Sequence, residues 1–251
     1  MMKQLVLCNG FPRSGTTSLW RTLKDNHIID GPNQKEIHYL SMLHNNFDLM
    51  YPQNLIEPHR KYVALGNKRA GLTYPYNLDD YISHLNSFSN PCDFSQSYYL
   101  LPEDFLCDVF NKLKNYFEIK VILIFREPIK RLISQIGSFH HNARFFGVDI
   151  KNDRDLFIEY INNPKVQSLY KDVHDKYVRV FGDVMCLTTE HFFINREKQD
   201  ELAKFLGVPM IWHISKPQNI GNFNVELSHD DLELAKLKLK DSMNFYATLI
   251  S

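Results

Sequence analysis

The sequence of 251 residues lacks several features that would exclude or assign whole classes of function. It has no apolar run near the length of about 18 residues that a membrane-spanning helix needs, and its first apolar stretch is too short for a signal peptide. Lys plus Arg and Asp plus Glu number 29 each, so no overall basic field attracts nucleic acid or anionic lipid. We therefore expect a cytoplasmic protein with neither nucleic acid nor membrane as a partner.

Cysteine is scarce, and its spacing argues against a metal site. Cys8, Cys92, Cys107 and Cys186 form neither a C-x-x-C motif nor a Cys/His ligand pattern, so we expect no zinc and no other metal. Free thiols in a reducing compartment fit this scatter, with a Cys92–Cys107 disulfide as the alternative. The composition, 44% apolar and 23% charged, is that of an ordinary globular protein.

The segment CNGFPRSGTTSLW, residues 8–20, has the spacing of a phosphate-binding loop but lacks its lysine. Gly10 and Gly15 are placed as in a P-loop, whereas Thr16 stands at the lysine position and Arg13 is the loop's own cation. An apolar strand precedes the loop and a helical pattern follows it. This order puts backbone N–H groups and a helix N-terminus where an anion would bind.

Further strands and helices follow from the apolar pattern. Buried strands are predicted at 119–128 and 183–192, and Pro128 allows a helix to begin after the first of them. Another helix should end at Gly207, and the last should begin after Ser228 as its N-cap.

Residues 44–102 are rich in Asn, Pro, Tyr and His, which predicts loops and short helices there. We see no linker or repeat, so residues 1–251 are predicted to form a single domain. Alternating strands and helices predict an α/β, P-loop-like, three-layer fold with a central parallel sheet flanked by helices.

A loop without the lysine that reaches a γ-phosphate suits a donor whose phosphate carries a sulfuryl group. A sulfuryl group bears less negative charge than a γ-phosphoryl group, so it needs less positive charge from the loop or a metal. GFPRSGTTSLW resembles the 5′-phosphosulfate loop of sulfotransferases that use 3′-phosphoadenosine 5′-phosphosulfate (PAPS). The second matching segment, IFREPIKRLISQ, resembles that family's 3′-phosphate motif. The resemblance implies that the donor is bound by Arg13, Ser14, Gly15, Thr16, Thr17, Ser18, Arg126 and Ser134.

The segment QKEIHYL resembles the Lys-Glu-x-His stretch of the carbohydrate (heparan-type) branch of that family. It implies that Glu36 takes the proton of the acceptor, with His38 as the competing base, while Arg13 stabilises the leaving oxygen. DFSQSYYL resembles the branch's Ser-Pro-x-Tyr stretch with Gln96 in place of Pro. KPQNIGNF, residues 216–223, lies where the family closes over the nucleotide.

Other positions depart from the family or receive a structural interpretation. Ser18 stands where cytosolic members have the Trp that stacks on adenine, so the adenine's aromatic partner is not identified. Trp20 is expected to pack its helix against the core. The histidine pair His140–His141 is expected at an exposed helix end. The lysines at 236, 238 and 240 are expected on a solvated helix face.

These features together predict a sulfotransferase that moves a sulfuryl group from PAPS to a hydroxyl or amine. The acceptor is a small molecule or a carbohydrate, the second product is adenosine 3′,5′-bisphosphate (PAP), and no metal is needed. One alternative is a P-loop nucleotide kinase, which Thr16 in the lysine position disfavours. The other is a nucleotide-binding module without chemistry, which Arg13 and Glu36 disfavour. The sequence predicts neither the acceptor's identity nor the oligomeric state.

Overall fold

The computed structural model describes residues 2–32, 35–46, 51–163, 170–211, 213–215 and 225–250. The strands within these ranges are β1 Lys3–Gly10, β2 Cys92–Asp93, β3 Phe117–Phe125 and β4 Val184–Thr188. The helices are α1 Thr16–Asp25, α2 Tyr39–His44, α3 Gln53–Arg69, α4 Leu78–Asn86, α5 Glu103–Leu113, α6 Pro128–Phe146, α7 Asp153–Asn162, α8 Tyr170–Phe181, α9 Thr189–Phe192, α10 Arg196–Phe205, α11 His229–Lys238 and α12 Lys240–Ile250. A 3₁₀ helix spans Gln96–Leu100.

The described strands form one parallel sheet in the order β2-β1-β3-β4. Alternate residues of β1 point to opposite faces, as the pleat of a strand requires. Leu5 and Leu7 pack with helices α4, α5 and α8, whereas Val6 and Cys8 pack with α1 and α10. The sheet is therefore buried on both faces, and the predicted three-layer α/β fold is confirmed.

A third apolar cluster lies among helices and contains no strand residue. It joins α3, α6, α7, α11 and α12. Leu132, Ile136 and Phe139 recur along α6 at helical spacing and supply its centre. This cluster holds α6 at the carboxyl end of β3, where α6 begins.

Predicted helix ends are confirmed by their caps. Glu127 accepts hydrogen bonds from the first N–H groups of α6, which begins at Pro128. Gly207 takes a positive φ of 68° just after α10. Ser228 and Asp231 form a capping box at the start of α11.

The prediction for residues 44–102 is wrong in two places. α3 is 17 residues long and contains Pro58, which removes one N–H from the helix interior and reads in the sequence as a helix breaker. The helix nevertheless buries Leu55 and Val63, and that tertiary packing offsets the local cost. The second omission is β2, whose two residues are too short to show a period.

The structure tests the interpretations of other single residues. Cys8, Cys92, Cys107 and Cys186 are free thiols. The alternative Cys92–Cys107 disulfide is wrong, because Cys92 and Cys107 pack in the clusters on opposite faces of the sheet. Trp20 is half-buried and packs against the apolar cluster on the face of the sheet that α1 and α10 cover. Lys236, Lys238 and Lys240 are exposed, as expected.

The histidine pair on α6 is only partly exposed. His141 faces solvent, whereas His140 is half-buried and its Nε2 lies 2.6 Å from a carboxylate oxygen of Asp153. Among the described helices, none is both long enough and apolar enough to cross a membrane.

Candidate active site

The loop between β1 and α1 passes so close to its neighbours that glycine is required at both ends. A Cβ on Gly10 would lie 2.6 Å from the Ile124 carbonyl oxygen of β3. Gly15 has φ +84°, and a Cβ there would lie 3.2 Å from Thr189 Cγ2. Arg13 also has a positive φ, 68°. The predicted loop is thus a tightly constrained turn at the carboxyl edge of the sheet.

The N-terminus of α1 has the features of an anion site. Gly15 is its N-cap and supplies no side-chain cap, and its first turn has no acidic residue. The unpaired N–H groups and partial positive charge of such an end attract anions. Ser14 beside it is fully buried, and its hydroxyl has no hydrogen-bond partner in the described part of the chain. Both observations fit a bound phosphate or sulfate group.

Two side chains from other segments donate hydrogen bonds to the Thr16 hydroxyl and so orient its hydrogen. Its Oγ1 accepts hydrogen bonds from Lys35 Nζ at 3.0 Å and from Gln96 Nε2 at 2.6 Å. A hydroxyl has two lone pairs and one hydrogen. With both lone pairs engaged, the Thr16 hydrogen remains for an acceptor such as an anionic oxygen.

The structure brings Arg13, Arg126 and Ser134 together. Arg13 Nε donates to Ser134 Oγ at 3.1 Å, and Arg126 Nη1 donates to the Arg13 carbonyl oxygen at 3.2 Å. Burial lowers the pKa of the Arg13 guanidinium, and the charge of Arg126 lowers it further. Two cations this close favour an anion between them.

Two residues that the sequence analysis did not identify fix the loop to the strand ends. Thr189 Oγ1 lies 2.7 Å from the Ser14 carbonyl oxygen and 3.0 Å from that of Phe125, within donating distance of both. Tyr170 donates its hydroxyl hydrogen to the Arg126 carbonyl oxygen at 2.8 Å. Thr189 lies in the strand-like run predicted at 183–192 and Tyr170 in no predicted motif, so the contacts of both became visible only in the structure.

Glu36 and His38 form a hydrogen-bonded pair beside this loop. His38 Nε2 lies 3.0 Å from Glu36 Oε2, and His38 Nδ1 lies 2.7 Å from Ser97 Oγ. Lys35 forms an ion pair with the other oxygen of Glu36. The Glu36 side chain is 25% exposed and that of His38 only 4%, so Glu36 is the more accessible of the two.

The charges around Glu36 keep it ionised. Burial alone would raise the pKa of this carboxyl group, but Lys35 and His38 outweigh burial and lower the pKa to about 2. Lys35 also donates to the Thr16 hydroxyl, so one ammonium group contacts both Glu36 and the loop. The place of Lys35 next to Glu36 in the sequence predicts a cation that pairs with donor oxygens or keeps the carboxylate ionised. Gln96 is not among the predicted site residues, and its one signal is that it stands where the resembled family has Pro.

A buried carboxylate at the end of β2 positions the histidine. Asp93 accepts hydrogen bonds from the hydroxyls of Tyr81, at 2.8 Å, and Tyr98, at 2.6 Å, and from the backbone N–H of Ser95, at 3.0 Å. Burial raises the pKa of Asp93 despite these donors. Ser95 Oγ in turn accepts the backbone N–H of His38 at 2.8 Å.

The remaining predicted positions are less informative. Thr17 is half-buried and Ser18 buried on α1. Residues 216–223, predicted to close over the nucleotide, lie outside the described residues. Within the described ranges, no three His, Cys, Asp or Glu side chains cluster as metal ligands would.

The comparisons with known proteins concern the fold. No family model and no curated protein sequence matches this chain. The chain is similar to the crystal structure of retinol dehydratase in a complex with retinol and PAP, with a TM-score of 0.52 and 14% identity. The match covers 97% of this chain and 82% of the other. A second structure, of retinol dehydratase with androsterone and inactive cofactor PAP, has a TM-score of 0.45 and 14% identity. That match covers 95% of this chain and 80% of the other. The chain therefore has the fold of retinol dehydratase, a parallel sheet flanked by helices.

Proposed function

We propose that the protein is a sulfotransferase that transfers a sulfuryl group from PAPS to a hydroxyl or amine of a small-molecule or carbohydrate acceptor. The observation that carries this proposal is the meeting of an anion-binding loop with the Glu36–His38 pair, bridged by Lys35. The likeness in fold to a protein that binds PAP supports it.

The loop residues suit the two phosphate groups of such a donor. The N-terminus of α1 with Ser14, Thr16, Thr17 and Ser18 would hold the 5′-phosphate and the attached sulfuryl group. Arg126 and Ser134 would hold the 3′-phosphate, because a guanidinium group at a strand end and a hydroxyl about two turns into the next helix can converge on one phosphate.

Transfer breaks the bond between sulfur and the 5′-phosphate oxygen and forms a bond between sulfur and the acceptor oxygen or nitrogen. The acceptor loses a proton, and PAP leaves with the negative charge. Arg13 would stabilise that charge as it grows on the leaving oxygen, the type of electrostatic assistance that enzymes use most. Arg13 and Lys35 would supply the positive charge that a metal supplies in P-loop kinases, so no metal is required.

We assign the general base to Glu36 and a positioning role to His38. Ser41 Oγ donates to Ser97 Oγ at 2.6 Å, which leaves the Ser97 hydrogen for His38 Nδ1. His38 then carries its hydrogen on Nε2, which donates to Glu36. Both ring nitrogens are engaged in this arrangement, so the carboxylate is the group that can accept a proton.

Donor binding would also make Glu36 a better base. A carboxylate with a pKa of about 2 takes a proton weakly at neutral pH. An anionic donor on the loop competes with Glu36 for the Lys35 ammonium group. Weakening that ion pair raises the pKa of Glu36, because burial then opposes the charge with less compensation.

The test is transfer of radiolabelled sulfate from PAPS to a mixture of phenolic, alcoholic, amine and sugar acceptors, with and without EDTA. We expect labelled product and PAP in equal amounts, with EDTA having no effect. Phosphoryl transfer from ATP that requires magnesium would support the kinase instead. Binding of PAP with no transfer to any acceptor would support the module without chemistry.

A further inference from the structure

Two buried polar atoms beside the loop lack the hydrogen bonds that buried groups normally make. Arg131 is 4% exposed and Gln135 3%, and neither Arg131 Nε nor Gln135 Oε1 has a hydrogen-bond partner among the described residues. Tyr99, which is 1% exposed, is the third polar side chain beside the loop. Since unsatisfied buried polar atoms are costly and rare, two of them one helical turn apart indicate a ligand.

These three groups gather around one loop residue. The Arg131 guanidinium lies 5.2 Å from the centre of the Phe11 ring, and the Tyr99 ring lies 4.7 Å from it. Gln135 follows Arg131 by one turn of α6 and shares its face. Tyr99 belongs to the 3₁₀ helix whose Ser97 contacts His38. The cluster Tyr99–Arg131–Gln135 therefore adjoins both the loop and the elements that hold the catalytic pair.

Among the described residues, no carboxylate forms an ion pair with Arg131. The guanidinium group lies beside the Phe11 ring and makes a hydrogen bond with Tyr170, a hydroxyl that the charges of Glu127 and Glu190 also reach. Both carboxylate oxygens of Glu127 accept backbone hydrogen bonds at the start of α6 instead. A buried guanidinium group without an ion-pair partner would be stabilised by an anionic ligand.

An aromatic wall continues from this cluster along α6. The ring of Phe139 lies 6.4 Å from that of Tyr51 and 5.3 Å from that of Tyr160. Burial raises the pKa of Tyr51, and Glu36 and Tyr99 raise it further. Phe139 and Tyr160 belong to the buried apolar cluster among the helices, so the polar cluster borders an aromatic environment of the kind that packs against a flat ring.

We propose that the cluster Tyr99–Arg131–Gln135 is the acceptor subsite and that the acceptor is a hydroxylated ring bearing a carboxylate. Arg131 Nε and the Tyr99 hydroxyl donate to the carboxylate, and Gln135 Oε1 accepts from a ring hydroxyl. This inference rests on the proposed sulfotransferase function, because it takes Glu36 as the base that receives the proton of the sulfated hydroxyl.

The experiment compares ligands that differ only in the anion. Calorimetric titration of the full chain, with and without saturating PAP, uses 4-hydroxyphenylacetate against 4-hydroxyphenylethanol, and D-glucuronate against D-glucose. We expect the carboxylate of at least one pair to bind roughly ten- to a hundredfold more tightly than its neutral partner, the range for hydrogen bonds to charged groups. Arg131→Gln should abolish this preference, and Arg131→Lys should restore part of it.

Tyr99→Phe is the milder variant, because it removes one hydroxyl and keeps the ring against Phe11. It should weaken the preferred carboxylate a few-fold and leave its neutral partner unchanged. PAP affinity should stay the same in both Tyr99→Phe and Arg131→Gln.

Three results would overturn the inference. The first is equal affinity for the two ligands of each pair, and the second is no binding of either carboxylate at about 10 mM. The third is that Arg131→Gln lowers the affinities for the carboxylate, its neutral partner and PAP equally, which would mean that Arg131 only supports the position of Phe11. Failure of the proposed function has a different signature, which is either no binding of PAP or binding of PAP with no sulfuryl transfer to any acceptor, whatever the carboxylates do.

Discussion

The two sides of the candidate site differ in how their polar groups are paired. On the donor side, the loop, Arg126 and Ser134 bind one another, and Lys35 and Gln96 orient Thr16. On the proposed acceptor side, Arg131 Nε and Gln135 Oε1 have no hydrogen-bond partner among the described residues. The proposed donor side makes most of its polar side-chain contacts within the chain, with the buried Ser14 hydroxyl as an exception, whereas the proposed acceptor side leaves more of its buried polar atoms to a ligand.

The largest effect is expected at the boundary between the two sides. Glu36→Gln should lower kcat by about 10²–10⁴, the usual range for loss of a general base, with PAP affinity unchanged. His38→Ala should cost less and act through the acceptor KM, since His38 positions Glu36. Steady-state kinetics and PAP titration measure both. An active Glu36→Gln beside an inactive His38→Ala would exchange the two roles.

Arg13 tests whether the donor side acts in the transition state or only binds. Arg13→Ala should lower kcat by roughly 10²–10³, the cost of removing one pre-organised donor to a developing anion, and should change PAP affinity less. Arg13→Lys, which keeps the charge, is the matched control and should recover part of the rate. Normal turnover with weak donor binding would reduce Arg13 to an anchor.

Arg126 tests recognition of the 3′-phosphate. Arg126→Ala should weaken PAP by about 1.5–3 kcal/mol, the value of a hydrogen bond to a charged group, and leave AMP nearly unchanged because AMP lacks that phosphate. Ser134→Ala should act in the same direction but less strongly. Equal weakening of PAP and AMP, measured by calorimetry, would make Arg126 structural, which its bond to the Arg13 carbonyl also permits.

The smallest expected effect concerns Gln96, which helps to fix the Thr16 hydroxyl. Gln96→Leu keeps the size of the side chain and removes its donor, so PAP affinity should fall by about 0.5–1.5 kcal/mol. Gln96→Glu should weaken PAP further, because a carboxylate there would repel the anion. Isothermal titration measures both, and Gln96→Glu binding PAP as tightly as the native chain would contradict the orientation argument.

The elements that carry the proposed donor side could be predicted from the sequence, because they lie in short contiguous motifs, whereas the binding of a donor by these residues stays a prediction. β1, the loop and α1 follow directly, and the eight-residue spacing of Arg126 and Ser134 requires only a strand end and a helix. The acceptor side could not be predicted in the same way. Tyr99, Arg131 and Gln135 come from two distant elements, and the lack of partners for Arg131 Nε and Gln135 Oε1 among the described residues becomes visible only when both elements are packed beside Phe11.

Local signals also failed where packing outweighed propensity. Because of Pro58, the sequence does not predict α3 as one long helix. Because β2 has only two residues, the sequence does not indicate Asp93, which accepts a hydrogen bond from Ser95; Ser95 in turn accepts one from the His38 backbone. A strand this short is set by its pairing with β1 rather than by its own residues.

The most direct test of the central claim, that the loop binds a 3′-phosphoadenosine nucleotide without a metal, is thermal unfolding measured once in EDTA and once with magnesium. Ligands that bind only the native state raise the Tm by mass action. We predict that PAP raises the Tm well above the shift given by the same concentration of ADP, and that magnesium adds nothing. Equal shifts from PAP and ADP, or a shift that appears only with magnesium, would contradict the account.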